Sequence, residues 1–253
     1  MSILQAIRIF LFYLLLGTSS LLWCTLSFFV APFLSFPRRY KFINVFWCRC
    51  ALFLSRTILG IDYKITGAEN VPSEPCVILS NHQSTWETFF LSQYFSPLSQ
   101  VLKRELLYVP FFGWTMARMD LIHIDRSKRA EAWAKVAEQG RRYMAQGNWV
   151  IMFPEGTRTP RGSQGTYKHG GTRLAIETGR PVVPIAVTSA RCWPRKSFLL
   201  RPGVIDISIG EPIDPAGRMA DELMREVERW IEAEMRRLDP DAYVGERSAP
   251  ALA

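Results

Sequence analysis

The stretch Cys76-Val77-Ile78-Leu79-Ser80-Asn81-His82-Gln83-Ser84-Thr85-Trp86-Glu87 decides how this chain is read. Its first five residues are mostly apolar and follow Pro72 and Pro75, the pattern of a buried strand. Ser84 and Glu87 have the spacing of a capping box, which predicts a helix running from near Ser84 towards Tyr94. One of only three histidines therefore stands on the turn between strand and helix. In a continuous helix His82 and Glu87 would lie about 140° apart, at roughly 100° per residue. With His82 on the turn and Glu87 in the first helical turn, the two can meet. A carboxylate bonded to one imidazole nitrogen fixes the tautomer and leaves the other nitrogen free as a base. The plainer reading makes Glu87 only a helix cap and His82 an ordinary turn residue.

A second polar cluster, Phe153-Pro154-Glu155-Gly156-Thr157-Arg158, follows another apolar run, Trp149 to Met152. The carboxyl end of a strand is where α/β folds place functional groups. Arg158 can grip a phosphate with two parallel bonds; taken by itself, the segment also suits a surface turn with a solvated arginine. Further strands are expected at Gln100–Leu102, Leu121–Ile124, Val182–Val187 and Val204–Ile209. Helices are expected over Ser127–Met144, with Ser127 as its cap, and Thr172–Thr178, closed by Gly179. Leu223, Val227, Trp230 and Ile231 form the apolar face of a last helix. The pattern predicts an α/β fold, a mixed sheet with helices on both faces, preceded by an N-terminal membrane-embedded helical segment.

That segment occupies residues 1–61. No charged side chain occurs from Ile9 to Pro37, long enough to cross a hydrocarbon core of roughly 30 Å. The run is too long for a signal peptide and no small-residue cleavage site follows it. A second apolar stretch, Phe42 to Ile61, carries Arg49 and Arg56, which favours an interfacial or re-entrant helix over a simple crossing. Residues 62–240 are expected to form the α/β domain, and 241–253 read as a poorly ordered tail. Six basic and no acidic side chains lie in residues 1–61, supplying +6 of the formal +8. The basic excess thus suits anionic lipid headgroups, with a bilayer and not nucleic acid as the partner. Arg38, Arg39 and Lys41 outnumber Arg8 across the apolar run, which predicts a cytoplasmic domain at a bacterial inner membrane. Five scattered cysteines suggest neither a disulfide framework nor zinc, and fit a reducing compartment.

Residues 81–87 and 153–158 resemble the first and third signature blocks of the glycerolipid acyltransferases, most closely the 1-acyl-sn-glycerol-3-phosphate (lysophosphatidic acid) acyltransferases. Lys103-Arg104-Glu105-Leu106 with Pro110 and Gly113 resembles the second block, and Val182-Val183-Pro184-Ile185-Ala186 the fourth. The four occur in order over residues 60–210. One departure stands out: the family's first block pairs His with Asp, and here the acid is Glu87. The resemblance implies an acyl thioester donor, acyl-CoA or acyl carrier protein, with no metal and no further cofactor. It implies the sn-2 hydroxyl of lysophosphatidic acid as acceptor. His82 would be the base and Glu87 its partner. Arg158 and Lys103 would hold the phosphate, with Arg126 a further candidate, and Glu155, Gly156 and Thr157 would line the glycerol site.

No Gly-x-Ser-x-Gly nucleophile elbow is present. Residues 165–172 have the glycine spacing of a P-loop, but Gly171 stands where its lysine should be. Lys168 and His169 there read as a solvated loop beside Arg158, and His123 as a satisfied core or edge histidine. Another lysolipid, such as a lyso-ornithine lipid, or glycerol 3-phosphate stays open as acceptor. So does a non-catalytic membrane-surface protein.

Overall fold

A computed structural model describes residues 2–119, 121–124 and 129–248 of the chain. The expected cap Ser127 and the candidate Arg126 lie outside the described residues.

The N-terminal apolar run forms helix α1, Ile3–Val30. A short helix α2, Phe36–Tyr40, leads through a π-helical turn, Lys41–Phe46, into α3, Trp47–Leu59. Gly60 ends α3 in the left-handed conformation at φ 70°, which a glycine adopts without Cβ strain. Two stretches, Ile3–Phe33 and Phe36–Leu59, are long and apolar enough to cross a membrane. They fold back on one another as a hairpin. Gln5 Nε2 donates to the Leu200 carbonyl at 2.9 Å, and the Gly203 amide donates to the Gly60 carbonyl at 3.0 Å. The start of α1 and the end of α3 thus meet the same segment. Arg38, Arg39 and Lys41 therefore sit at the bend. Because both ends of this hairpin meet the domain, the charge asymmetry across the first apolar run does not place the domain on a side.

The sheet has the order β1-β7-β6-β2-β5-β3-β4. Its strands are β1 Ile61–Thr66, β2 Val77–Ser80, β3 Leu98–Lys103, β4 Ile122–Ile124, β5 Trp149–Met152, β6 Val182–Val187 and β7 Gly203–Ile209. Among the strand pairs of the described residues, β6–β7 is antiparallel and the rest are parallel, so the sheet is mixed. Strand β1 lies outside the expected strands, although Ile61, Tyr63 and Ile65 alternate with polar residues in the sequence. On the central strands the alternation separates two cores. Ile78, Ile151, Val183 and Ile185 face α1, α3 and the helix α4, Trp86–Tyr94. Val77, Leu79, Val150 and Ala186 face the other side, where the last long helices pack. A short α5, Phe112–Met116, precedes α6, Arg129–Ala145, α7, Gly170–Thr178, and α8, Ala220–Leu238.

Phe12, Leu52 and Leu59 share the first core with the sheet, so the N-terminal helices are part of the folded body. Beyond α8, Pro240–Ser248 winds into 3-10 turns and Tyr243 is buried. The poorly ordered tail expected from residue 241 is therefore ordered at its start.

Candidate active site

Strand β2 lies between β5 and β6, and all three run parallel. The segments that follow them, residues 81–87, 153–159 and 188–191, consequently emerge together at one edge of the sheet. Helix α4 begins at Trp86, two residues after the expected cap. Ser84 Oγ accepts from the Trp86 amide at 3.1 Å, and Glu87 reaches back to the Ser84 amide at 2.7 Å. The return arm of the capping box is therefore in place. The same oxygen, Glu87 Oε1, accepts from the Gln83 amide at 2.9 Å and meets His82 Nδ1 at 2.8 Å.

Glu87 is fully buried. Burial pushes its carboxyl up, but the bonds and charge attraction from His82, with Ser189 and the Ser84 amide, outweigh this and hold it below the ordinary carboxylate value. An ionised carboxylate only accepts, so Nδ1 carries the proton and Nε2 is the unprotonated nitrogen. The extra methylene of glutamate, relative to the family's aspartate, does not prevent the pairing.

The third block holds His82 on several sides. Phe153 stacks against the imidazole with centroids 4.0 Å apart and planes 19° apart. Thr159 donates through its amide to the His82 carbonyl at 2.7 Å, and the His82 amide donates to Glu155 Oε2 at 2.7 Å. Glu155 is thus a strut beneath the backbone of His82. It is buried, and the cavity is lined by its neighbours Pro154, Gly156, Thr157 and Arg158. The reason is local: Gly156, at φ 68°, turns the chain so that residues 156–158 reach the cavity while the side chain of residue 155 points inward. Burial, aided by the nearby Glu87 and Glu232 charges, lifts the Glu155 carboxyl to about 8 against the bonds from the His82 amide and Thr159.

His82, Gly156, Thr157 and Arg158 line a single cavity of about 1170 Å³. That exceeds the roughly 300–1,000 Å³ of ordinary ligand pockets. Its far walls are apolar, with Trp23 of α1, Ile43, Phe89, Met116 and Val136. Its polar end carries Arg158, Lys168 and Arg195. Arg158 Nε is buried without a partner among the described residues, an unspent donor at the cavity wall. Arg195 donates to the Arg158 carbonyl and braces that turn. Lys103 is the last residue of β3, at the same edge of the sheet; only its backbone is described.

Lys168 is exposed, as the sequence suggests, and it also lines the cavity; its ammonium lies 2.7 Å from where a Cβ on Gly156 would stand. Its backbone amide is tied to the Pro154 carbonyl at 2.9 Å, a contact sequence spacing does not reveal. His169 turns away to Asp221 at 2.7 Å. His123 lies in β4, but its Nε2 is buried without a partner among the described residues, so it is not the satisfied histidine expected.

The acyltransferase family model matches residues 62–188, the span that contains all four sequence blocks. A 1-acyl-sn-glycerol-3-phosphate acyltransferase from Pseudomonas aeruginosa is 51% identical over 243 residues, covering 95% of each chain. The chain belongs to the acyltransferase family. A yeast enzyme of the same description, from Saccharomyces cerevisiae, is 34% identical over 180 residues, 69% of this chain and 59% of its own. The crystal structure of a 1-acyl-sn-glycerophosphate (LPA) acyltransferase from Thermotoga maritima shares the fold, with TM-score 0.78 at 23% identity over 93% of this chain and 96% of that one. This O-acyltransferase accordingly keeps its polar residues at the carboxyl edge of β2 and β5, where the acyl-transfer chemistry has to be sought.

Proposed function

We propose that this acyltransferase moves a fatty acyl group from an acyl thioester, acyl-CoA or acyl-acyl carrier protein, to the sn-2 hydroxyl of lysophosphatidic acid. The carrying observation is that His82, tethered to Glu87 at 2.8 Å, shares one cavity with Arg158 and Lys168. His82 Nε2 takes the hydroxyl proton as the oxygen attacks the thioester carbonyl. The tetrahedral intermediate collapses, the C–S bond breaks, and the imidazolium returns the proton to the departing thiolate. Glu87 stabilises the transient imidazolium and holds the ring in the required tautomer. Arg158, Lys168 and Lys103 take the acceptor phosphate, and the apolar walls take acyl chain. Gly156 and Thr157 border the glycerol portion.

Helix α1 touches the domain from Gln5 to Phe28, about 35 Å at 1.5 Å per residue. A helix flanked by folded protein over that length does not act as a stalk. Its outer face, with Leu4, Ile7, Phe10, Leu22 and Phe29, is exposed and suits immersion in one leaflet. An acceptor with a long chain can then stay in the bilayer while its headgroup enters the site. Five free cysteines favour the cytoplasmic side of a bacterial inner membrane.

The deciding experiment is transfer with purified enzyme, defined thioester donors and three acceptors: lysophosphatidic acid, a lyso-ornithine lipid and glycerol 3-phosphate. Lysophosphatidic acid is the expected preferred acceptor, and His82→Ala is expected to lose about 10²–10⁴ in rate. Preference for the phosphate-free acceptor, or a His82→Ala variant with near-normal turnover, overturns the reading.

A further inference from the structure

The turn after β6 backs the catalytic pair. Asn81 Nδ2 donates to the Val187 carbonyl at 3.0 Å, and the Val187 amide donates to Asn81 Oδ1 at 2.8 Å. The asparagine side chain thereby continues the β2–β6 pairing one step beyond Ser80. The Ala190 amide donates to Gln83 Oε1 at 3.4 Å. Ser189 lies between these two ties and is fully buried. Its carbonyl accepts the amides of Cys192 at 3.2 Å and Trp193 at 2.8 Å, so its backbone is fixed.

Two atoms in this enclosed place lack a partner at full hydrogen-bond geometry among the described residues: Ser189 Oγ and Glu87 Oε2. Buried polar groups rarely stay unpaired, because leaving water without a replacement bond is costly. The hydroxyl is near enough to the acid to help hold its carboxyl down. The load on Glu87 is also lopsided. Oε1 takes three donors, from His82, Gln83 and Ser84, whereas Oε2 takes none of them. A carboxylate held by one oxygen can twist about its last bond, and that twist would carry Oε1 off the line of His82 Nδ1.

We propose that Ser189 is a positioning residue for acyl transfer, its hydroxyl donating to Glu87 Oε2 and so fixing the carboxylate plane that holds His82. The residue touches no substrate and acts only through Glu87. This inference rests on the reading of His82 as the base.

The test compares Ser189→Ala and Ser189→Cys with wild type, using purified enzyme with acyl-CoA and lysophosphatidic acid. The His82 Nδ1 proton is followed by NMR. Ser189→Ala is expected to lower kcat about tenfold, as losing one bond to a buried charge can do, with the acceptor KM unchanged. The bridging proton signal is expected to move upfield as its bond lengthens. Ser189→Cys, a weaker donor of similar shape, is expected to fall between the two. Melting temperatures establish that both variants fold. An unmoved proton signal in Ser189→Ala overturns the proposal, as does a kcat within twofold of wild type accompanied by an unmoved signal. A moved signal with unchanged kcat supports the contact and counts against the general-base reading instead.

Discussion

Replacing Glu155 with glutamine separates the shape of the strut from its charge. In the native protein the His82 amide donates to Glu155 Oε2 and the Thr159 hydroxyl lies 3.4 Å from Oε1. Burial lifts this carboxyl from its ordinary 4.5 to about 8. Between those two values the folded protein holds a proton that the unfolded chain has released. Stability therefore falls as pH rises through the window, since the native state binds more protons than the unfolded one. The full gap is worth at most about 5 kcal/mol, at ~1.4 kcal/mol per pH unit. The nearby Glu87 and Glu232 charges contribute to it, so part of the effect belongs to the cluster. Glutamine keeps the acceptor for the His82 amide and removes the titration. Thermal melts in mild detergent, from pH 5 to pH 9, read the difference. At about 2–4 °C per kcal/mol for a chain of this size, wild type should lose about 10 °C more than Glu155→Gln across the range. The variants should converge at pH 5, where the native carboxyl is neutral. Parallel curves would refute the claim that Glu155 is a buried neutral strut. Glu155→Ala is the contrasting control: it strands the His82 amide and should lower stability at every pH, by roughly 1–3 kcal/mol.

The remaining expectations concern the cavity and the pair. Glu87→Gln can present its amide nitrogen to His82 and favour the wrong tautomer, so kcat should fall by about 10³–10⁴ with little change in acceptor KM; a loss under tenfold would count against an oriented imidazole. Arg158→Ala should raise the acceptor KM by one to two orders of magnitude, the scale of a lost charge-assisted bond, and an unchanged KM would remove the phosphate role. Lys168→Ala should raise the same KM about fivefold or more while sparing kcat, which steady-state kinetics with lysophosphatidic acid would check. Gly156→Ala should cost about 1–2 kcal/mol in stability from its φ of 68°, and its Cβ, 2.7 Å from the Lys168 ammonium, should push that side chain off the wall and weaken acceptor binding.

Legibility in the sequence followed the range of the interactions. The strand at Cys76–Ser80 and the capping spacing at Ser84 and Glu87 are local patterns, and they located the His82–Glu87 pair through a turn of five residues. The alternation that separates Ile78 from Val77 and Leu79 made the central strands readable for the same reason. Strand β1 is hard to read because it is six residues long, largely unburied and joined to an apolar helix through Gly60 alone. The hairpin of α1 and α3 depends on Gln5 reaching Leu200, a contact across 195 positions that no local pattern encodes. Lys168 and Arg195 fall under the same limit. Their places on the cavity wall are fixed by backbone ties to Pro154 and Arg158, made only once the sheet brings the segments together.

Glu155 illustrates a different limit. Its position in the third block was legible, but its direction was not, because that depends on the backbone reversal at Gly156. An acid three residues before an arginine proposed to bind phosphate reads most simply as a substrate contact. In the folded chain the same acid accepts from the backbone of His82. The first and third blocks are thereby joined through His82 at its amide, its carbonyl and its ring, by Glu155, Thr159 and Phe153 respectively. Glu87 extends this economy: its Oε1 both accepts the Ser84 amide at the start of α4 and orients His82. The start of a helix and the orientation of the His82 ring then depend on one oxygen. A substitution there is expected to disturb stability and turnover together, whereas Arg158 and Lys168, which line the cavity without touching Glu87, can be altered with the pair left standing.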